Sequence, residues 1–300
     1  MLDIRTLEND KIRIEVVPAL GGKIISFYYK EAGFEYCVVP DREKLFEVSE
    51  GDRFIDHEIS GIDECFPNVD GEEIEFEKRR LCFPDHGEVW KNKVSCTGKE
   101  NRLEMHFDSA VFGYSYHKVY ELENDHLKIS YHIEKTTDDT LPCLWTFHGV
   151  FRYEKNSQLF YPKEINRFQN VLIEATILGE QHKYYPFPSE EYDFSRIPDL
   201  SNEEYHFVKY YCPDPLIEGY CKVTYPEAGC ALEIDYDSES LPYLGVWIDE
   251  AGVADSENFA FEMTNGYYDK ISKALKNEKI GLLKKGDTMD FYVSLFPKML

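Results

Sequence analysis

Three acid–base side chains stand out because their neighbours are apolar. Glu262 lies in Phe259-Ala260-Phe261-Glu262-Met263-Thr264-Asn265-Gly266, and His148 in Leu144-Trp145-Thr146-Phe147-His148-Gly149-Val150-Phe151. His86 lies in Phe83-Pro84-Asp85-His86-Gly87-Glu88-Val89-Trp90. A fourth segment, Gly61-Ile62-Asp63-Glu64-Cys65-Phe66-Pro67, sets two carboxylates among similar residues. Burying an ionisable group is costly unless it is partnered, so such groups are candidates for chemistry. A carboxylate and an imidazole suit general acid–base catalysis, because both can be tuned toward neutral pH. Plainer readings stand beside these: Glu262 as a strand residue facing water, and His148 as a hydrogen-bonded core histidine. His86 reads as a loop residue, where chemistry is more common.

Several stock motifs are absent. His86-Gly87-Glu88 is an H-x-E, but the downstream P-C-x-x-C of zinc deaminases is missing, since Pro142-Cys143 has no second cysteine in register. There is no H-E-x-x-H, G-x-S-x-G, Walker loop or G-x-G-x-x-G. His86 and Glu88 could hold a metal, but two ligands with no obvious third are weak evidence, and no metal is expected.

The elements that must position these residues read as strands. Ile12, Ile14 and Val16 alternate with Lys11, Arg13 and Glu15. The same period recurs in Leu103–Phe107, Leu127–Ile133, Leu232–Tyr236 and Met289–Leu295. Alternate side chains of a strand face opposite sides of a sheet, so each segment predicts a strand with one buried face. Helical patterning is confined to Lys270–Lys279 and Arg42–Glu50. Without β-α-β alternation, a doubly wound sheet is disfavoured. The stretch Gln181–Pro215, rich in Pro, Ser, Tyr and acidic residues, reads as a long excursion from the scaffold. The expected fold is all-β, a single large antiparallel sandwich over residues 1–300.

Charge narrows the function classes. With 57 acidic against 33 basic residues the formal charge is −24, which disfavours binding to nucleic acid or to an anionic membrane. The only compact basic run is Lys78-Arg79-Arg80. No stretch of about 18 apolar residues predicts a membrane span. The N-terminal segment Met1–Glu8 lacks the apolar run of a signal peptide, and the eight cysteines contain no C-x-x-C, so a cytoplasmic protein with reduced thiols is expected.

Taken in order, these segments resemble the galactose mutarotase-like (aldose 1-epimerase) family, in a divergent bacterial branch. Val17-Pro18-Ala19-Leu20-Gly21-Gly22-Lys23-Ile24 resembles its opening strand and glycine turn, and the Asp63 and His86 segments resemble later motifs. Pro142–Phe151 resembles the strand bearing the second histidine. Tyr243–Ile248 and Phe261–Gly266 resemble the late strands that end at the catalytic glutamate, and Leu283–Asp287 precedes the final strand. The resemblance implies a β-supersandwich with a sugar as its small-molecule partner and no metal or organic cofactor. It carries Glu262 over as general base, His148 as general acid and His86 as a second histidine at the sugar ring. Trp247, Asp85, Asp63 and Glu64 are expected to contact the substrate, with Trp247 as a plain core residue standing beside its stacking role. Two departures bear on which sugar is bound: His148-Gly149-Val150-Phe151 replaces the usual His-Pro-x-Phe, and Asp63-Glu64 stand near the place of an Asn-Arg pair. The expected activity is anomer interconversion of an unphosphorylated aldose. The alternatives are a non-catalytic carbohydrate-binding protein, a hexose-6-phosphate epimerase needing basic side chains at the cleft, and a glycoside-processing enzyme pairing Glu262 with Asp85 or Glu64.

Overall fold

The computed structural model describes residues 2–49, 52–172, 177–201, 206–254 and 256–300. Strands dominate. The expected alternating segments become the strands Ile12–Val17, Arg102–Ser109, Leu127–Lys135, Cys230–Tyr236 and Thr288–Met299. They pair antiparallel, as do all the named strands. The architecture is the expected all-β sandwich of large antiparallel sheets, one of 12 strands and one of 8. One hydrophobic cluster draws on both, from Leu7 and Ile62 in the larger sheet to Tyr131 and Val293 in the smaller.

Two local expectations are corrected. Arg42–Ser49 forms turns and irregular chain instead of a helix, and Glu50 lies outside the described residues. Within Gln181–Pro215 the chain returns to the larger sheet twice, as Tyr184–Pro186 and Phe207–Cys212. The second of these is buried on both faces, so its sequence lacks the polar alternation that marks a half-buried strand. The helix expected near Lys270 is present as Ile271–Lys276, the only α-helix among the described residues. No helix among them is long and apolar enough to cross a membrane.

The middle of the larger sheet positions the candidate site. Its order there is Lys23–Tyr29, Ile62–Cys65, Thr146–Gly149, Asn258–Thr264, Tyr243–Asp249 and Phe207–Cys212. Register decides which side chains share a face. His148 lies opposite Asp63, and Thr146 opposite Thr264. Glu262 lies opposite Gly245, which lies opposite Tyr211; one step along, Ala260, Trp247 and Lys209 form the next row. With a side-chain period of two, Asp63, His148, Glu262, Trp247, Tyr211 and Lys209 therefore project from one face. Glu64, Phe147, Phe261 and Tyr210 project from the other, into the sandwich core.

Candidate active site

Over that face lies a cavity of about 400 Å³. Glu262, His148, His86, Trp247 and Asp85 all line it, joined by Phe54, Asp70, Lys209 and Asp269. Three residues far apart in sequence, at 86, 148 and 262, thus meet around one hollow of a size that takes a small ligand.

His148 is held from behind. Its Nδ1 lies 2.8 Å from Asp63 Oδ1, while Asp63 Oδ2 lies 3.2 Å from Lys23 Nζ. Burial alone would raise the Asp63 carboxyl, but Lys23 and His148 outweigh burial and hold it well below the usual carboxylate range. An ionised carboxylate only accepts, so Nδ1 carries the proton and Nε2 is the nitrogen left for a ligand.

His86 is aimed by its backbone. The chain reverses through His86 and Gly87, both at positive φ (57° and 71°). A Cβ at residue 87 would sit 2.2 Å from the Phe66 carbonyl oxygen, so the close approach requires glycine. The His86 N–H donates to the Val69 carbonyl at 2.6 Å, and Nδ1 lies 2.9 Å from Asp85 Oδ1. Burial acts to raise the Asp85 carboxyl, yet His86 outweighs it and holds Asp85 below its ordinary value. Phe54 stacks on the His86 ring (3.9 Å between centroids, 9° between planes) and meets the His148 ring edge-on at 5.3 Å. The two imidazoles stand 5.6 Å apart, centre to centre.

Glu262 stands on the strand next to that of His148, in charged company. Its Oε2 lies 2.8 Å from Lys209 Nζ, and Lys209 reaches Asp269 Oδ1 at 3.1 Å. The Tyr211 hydroxyl donates to Asp269 Oδ1 at 2.6 Å and approaches Glu262 Oε2 at 3.4 Å. Burial pushes the Tyr211 hydroxyl well up, which keeps it a donor. Burial alone would lower the Lys209 ammonium, but Asp269 and Glu262 outweigh burial and raise it, so Lys209 stays charged. Burial and the nearby Asp269 together push the Asp70 carboxyl up.

Trp247 lines the cavity with its ring against Phe207 (5.4 Å, 25°). Asp249 also lines it, but its carboxylate is occupied by the N–H groups of Gly252, Val253 and Ala254.

Two expected substrate contacts are corrected. Asp63 does not line this cavity; it stands behind His148 with a side chain only 4% exposed. Glu64 faces the other way, where its carboxylate accepts from Lys118 Nζ and from the Tyr131 hydroxyl, each at 2.7 Å. Adjacent strand residues point to opposite faces, and the pairing of His148 with Asp63 sends Glu64 into the core.

Lys209, Asp269, Tyr211, Asp70 and Phe54 went unmarked in the sequence. Lys209 carries the same signal that marked Glu262, an ionisable group within the apolar run Phe207-Val208-Lys209-Tyr210-Tyr211-Cys212. Asp269 is brought back by the turn after Thr264, where Tyr268 adopts a positive φ of 96°. Nothing local in the sequence signals Phe54. No group of three or more metal-ligating side chains occurs among the described residues.

Solved structures share this arrangement of sheets. The chain superposes on the Slr1438 protein of Synechocystis with a TM-score of 0.76 at 17% identity, over 100% of this chain and 97% of that one. A galactose mutarotase-like protein from Lactobacillus casei gives 0.74 at 14% identity, over 98% and 100%. This is the galactose mutarotase-like fold. An aldose epimerase homologue from C. elegans shares it as well, with a TM-score of 0.69 at 11% identity over both whole chains. No protein-family model matches the sequence, and no curated protein matches it.

Proposed function

We propose that the chain is an aldose 1-epimerase acting on an unphosphorylated sugar, with residues 1–300 working as one catalytic unit. The observation that carries this reading is that Glu262, His148 and His86 line one cavity of about 400 Å³, with the glutamate and the histidines each tied to charged partners. Glu262 takes the proton from the anomeric hydroxyl through the carboxylate oxygen not engaged by Lys209. His148, entering doubly protonated with Asp63 accepting from Nδ1, delivers the Nε2 proton to the ring oxygen, and the bond between C1 and that oxygen breaks. Rotation about C1–C2 presents the other face of the aldehyde. The ring closes as each group reverses its role, so acid and base are both restored. His86 supports the ring region, and Trp247 offers an aromatic face to its C–H groups. The fold's occurrence in mutarotase-like proteins supports a sugar as partner. A reducing cytoplasm suits a chain whose eight cysteines are free thiols.

A phosphorylated hexose is the second reading, favoured by Lys270 and Lys273 on the cavity wall. It ranks lower because five carboxylates (Asp70, Asp85, Asp249, Glu262 and Asp269) line the same cavity and Lys209 is already paired with two of them. The basic run Lys78-Arg79-Arg80 does not help it, because Arg79 pairs with Asp139 and Arg80 with Glu73 on a hairpin outside the cavity lining.

The test is NMR exchange spectroscopy on free aldoses and hexose 6-phosphates. The wild type should accelerate anomer exchange of a free aldose. Glu262→Gln should lose about 10² to 10⁴ of that rate while remaining folded. Saturable sugar binding without acceleration would make this a carbohydrate-binding protein instead, and full activity in E262Q would remove the base assignment.

A further inference from the structure

Lys209 is the most unusual residue of the site, a cation almost wholly buried in a chain of strongly negative charge. It belongs to neither the acid nor the base, yet the register seats it on the same sheet face as both. Its partners come from three places. Glu262 stands on the next strand but one and Asp269 on the turn that follows it, while Tyr211 lies two residues along its own strand. We infer that Lys209 is a positioning residue for the proposed reaction, a charged clamp that fixes one oxygen of Glu262 and leaves the other facing the sugar, with Asp269 and Tyr211 holding the clamp in place. The inference rests on the epimerase reading for its role in turnover, though the clamp itself is a matter of geometry.

The geometry is selective. Lys209 and Tyr211 both approach Oε2 of Glu262, at 2.8 and 3.4 Å. An ammonium has three donors, and two of them are directed to Glu262 and Asp269. Asp269 in turn accepts from Tyr211, so neither carboxylate can swing without breaking a charge-assisted contact. The charged and titratable groups around the ammonium are Glu262, Asp269, Asp70, Tyr211 and Tyr268, with Cys65 two strands from Glu262 on the same sheet face. Removing the ammonium leaves carboxylates facing one another in a poorly solvated site, where like charges disfavour ionisation.

The experiment compares pH profiles of kcat/KM for anomer exchange in the wild type, Lys209→Met, Lys209→Arg and Asp269→Asn. K209M should move the acid limb up by about one to three pH units, the usual effect of an opposite charge within a few ångströms. K209R, which keeps the charge but misfits the contacts, should hold the limb in place with a lower kcat. D269N removes a carboxylate that competes for the clamp, so its limb should stay or move down. Damage that was merely structural would lower rates in all three with no displacement of the limb. An unmoved limb in folded K209M overturns the inference. If K209M does not fold, an upward shift in D269N does the same.

If the wild type accelerates no sugar, the epimerase reading fails while the clamp remains measurable. The side-chain carboxyl ¹³C resonance of Glu262, identified by its loss in E262Q, should titrate at higher pH in K209M than in the wild type. Coincident titrations sink the clamp.

Discussion

His148 and Glu262 obey one rule, that a reacting group is held by a charged partner largely out of reach of water. Asp63 shows what that partner does at the level of a single residue. Its carboxylate fixes the His148 tautomer and neutralises Lys23, whose side chain is only 7% exposed. Asp63→Asn keeps the shape but removes the charge that supports a doubly protonated His148, and an amide donating to Nδ1 excludes that form, so the ring has no proton to spare for the sugar. The expected result is a loss in kcat on the order of 10² with a smaller change in KM, read by NMR exchange kinetics. A kcat within twofold of wild type would show that the charge behind His148 does not matter. Stability should follow pH with a definite sign. The folded-state carboxyl lies below its unfolded value of about 3.9, so its contribution is complete above that value and is lost as pH falls toward the folded value. Urea unfolding should accordingly find the wild type's margin over D63N larger at pH 7 than at pH 3.

Among the strands, the site depends on register and on one missing side chain. Gly245 lies between Tyr211 and Glu262 in a single row across three strands. A Cβ there would come within 2.8 Å of the Tyr211 ring and 3.1 Å of Glu262 Oε2. Gly245→Ala must therefore displace the ring, the carboxylate or both. Overpacking of this kind costs about 1 to 3 kcal/mol, and a displacement of an ångström can cost on the order of 10² in rate. Thermal unfolding and exchange kinetics measure the two effects, and a fully active G245A would show that Glu262 has slack. The same logic explains what was legible beforehand. Half-buried strands such as Leu127–Lys135 declare themselves by alternation, and Glu262, His148 and His86 declare themselves by charge among apolar neighbours. The strand Phe207–Cys212 was hidden because Val208 and Tyr210 pack into the core while Tyr211 packs into the site, leaving Lys209 as its only charge. The choice between Asp63 and Glu64 was hidden too. Both look alike in sequence, and only the pairing with His148 decides which one supports the imidazole.

Across the whole molecule, Glu64 belongs to the joint between the sheets. Lys118 and Tyr131 reach it from adjacent strands of the smaller sheet, and Lys118 Nζ also donates to the Gly22 carbonyl at 3.3 Å. Both charges are almost fully buried, with side chains 1% exposed. Burial pushes the Glu64 carboxyl up and the Lys118 ammonium down, so each depends on the other to remain charged. Such a pair gives modest net stability but is costly to break from one side, because the remaining charge has no solvent. Lys118→Met should therefore lower the unfolding free energy by about 3 to 5 kcal/mol, whereas Lys118→Met with Glu64→Leu should recover much of that loss. Urea denaturation of the two single variants and the double variant measures the coupling; equal losses in K118M and in the double variant would mean the pair carries none. Glu64 is the chain neighbour of Asp63 and points through the sheet away from it, so any shift of the strand at Glu64 would carry Asp63 and its contact with His148 along. If K118M lowers kcat by such a shift, the double variant should restore kcat along with stability, although neither residue touches the sugar; stability regained without kcat would separate the joint from the site.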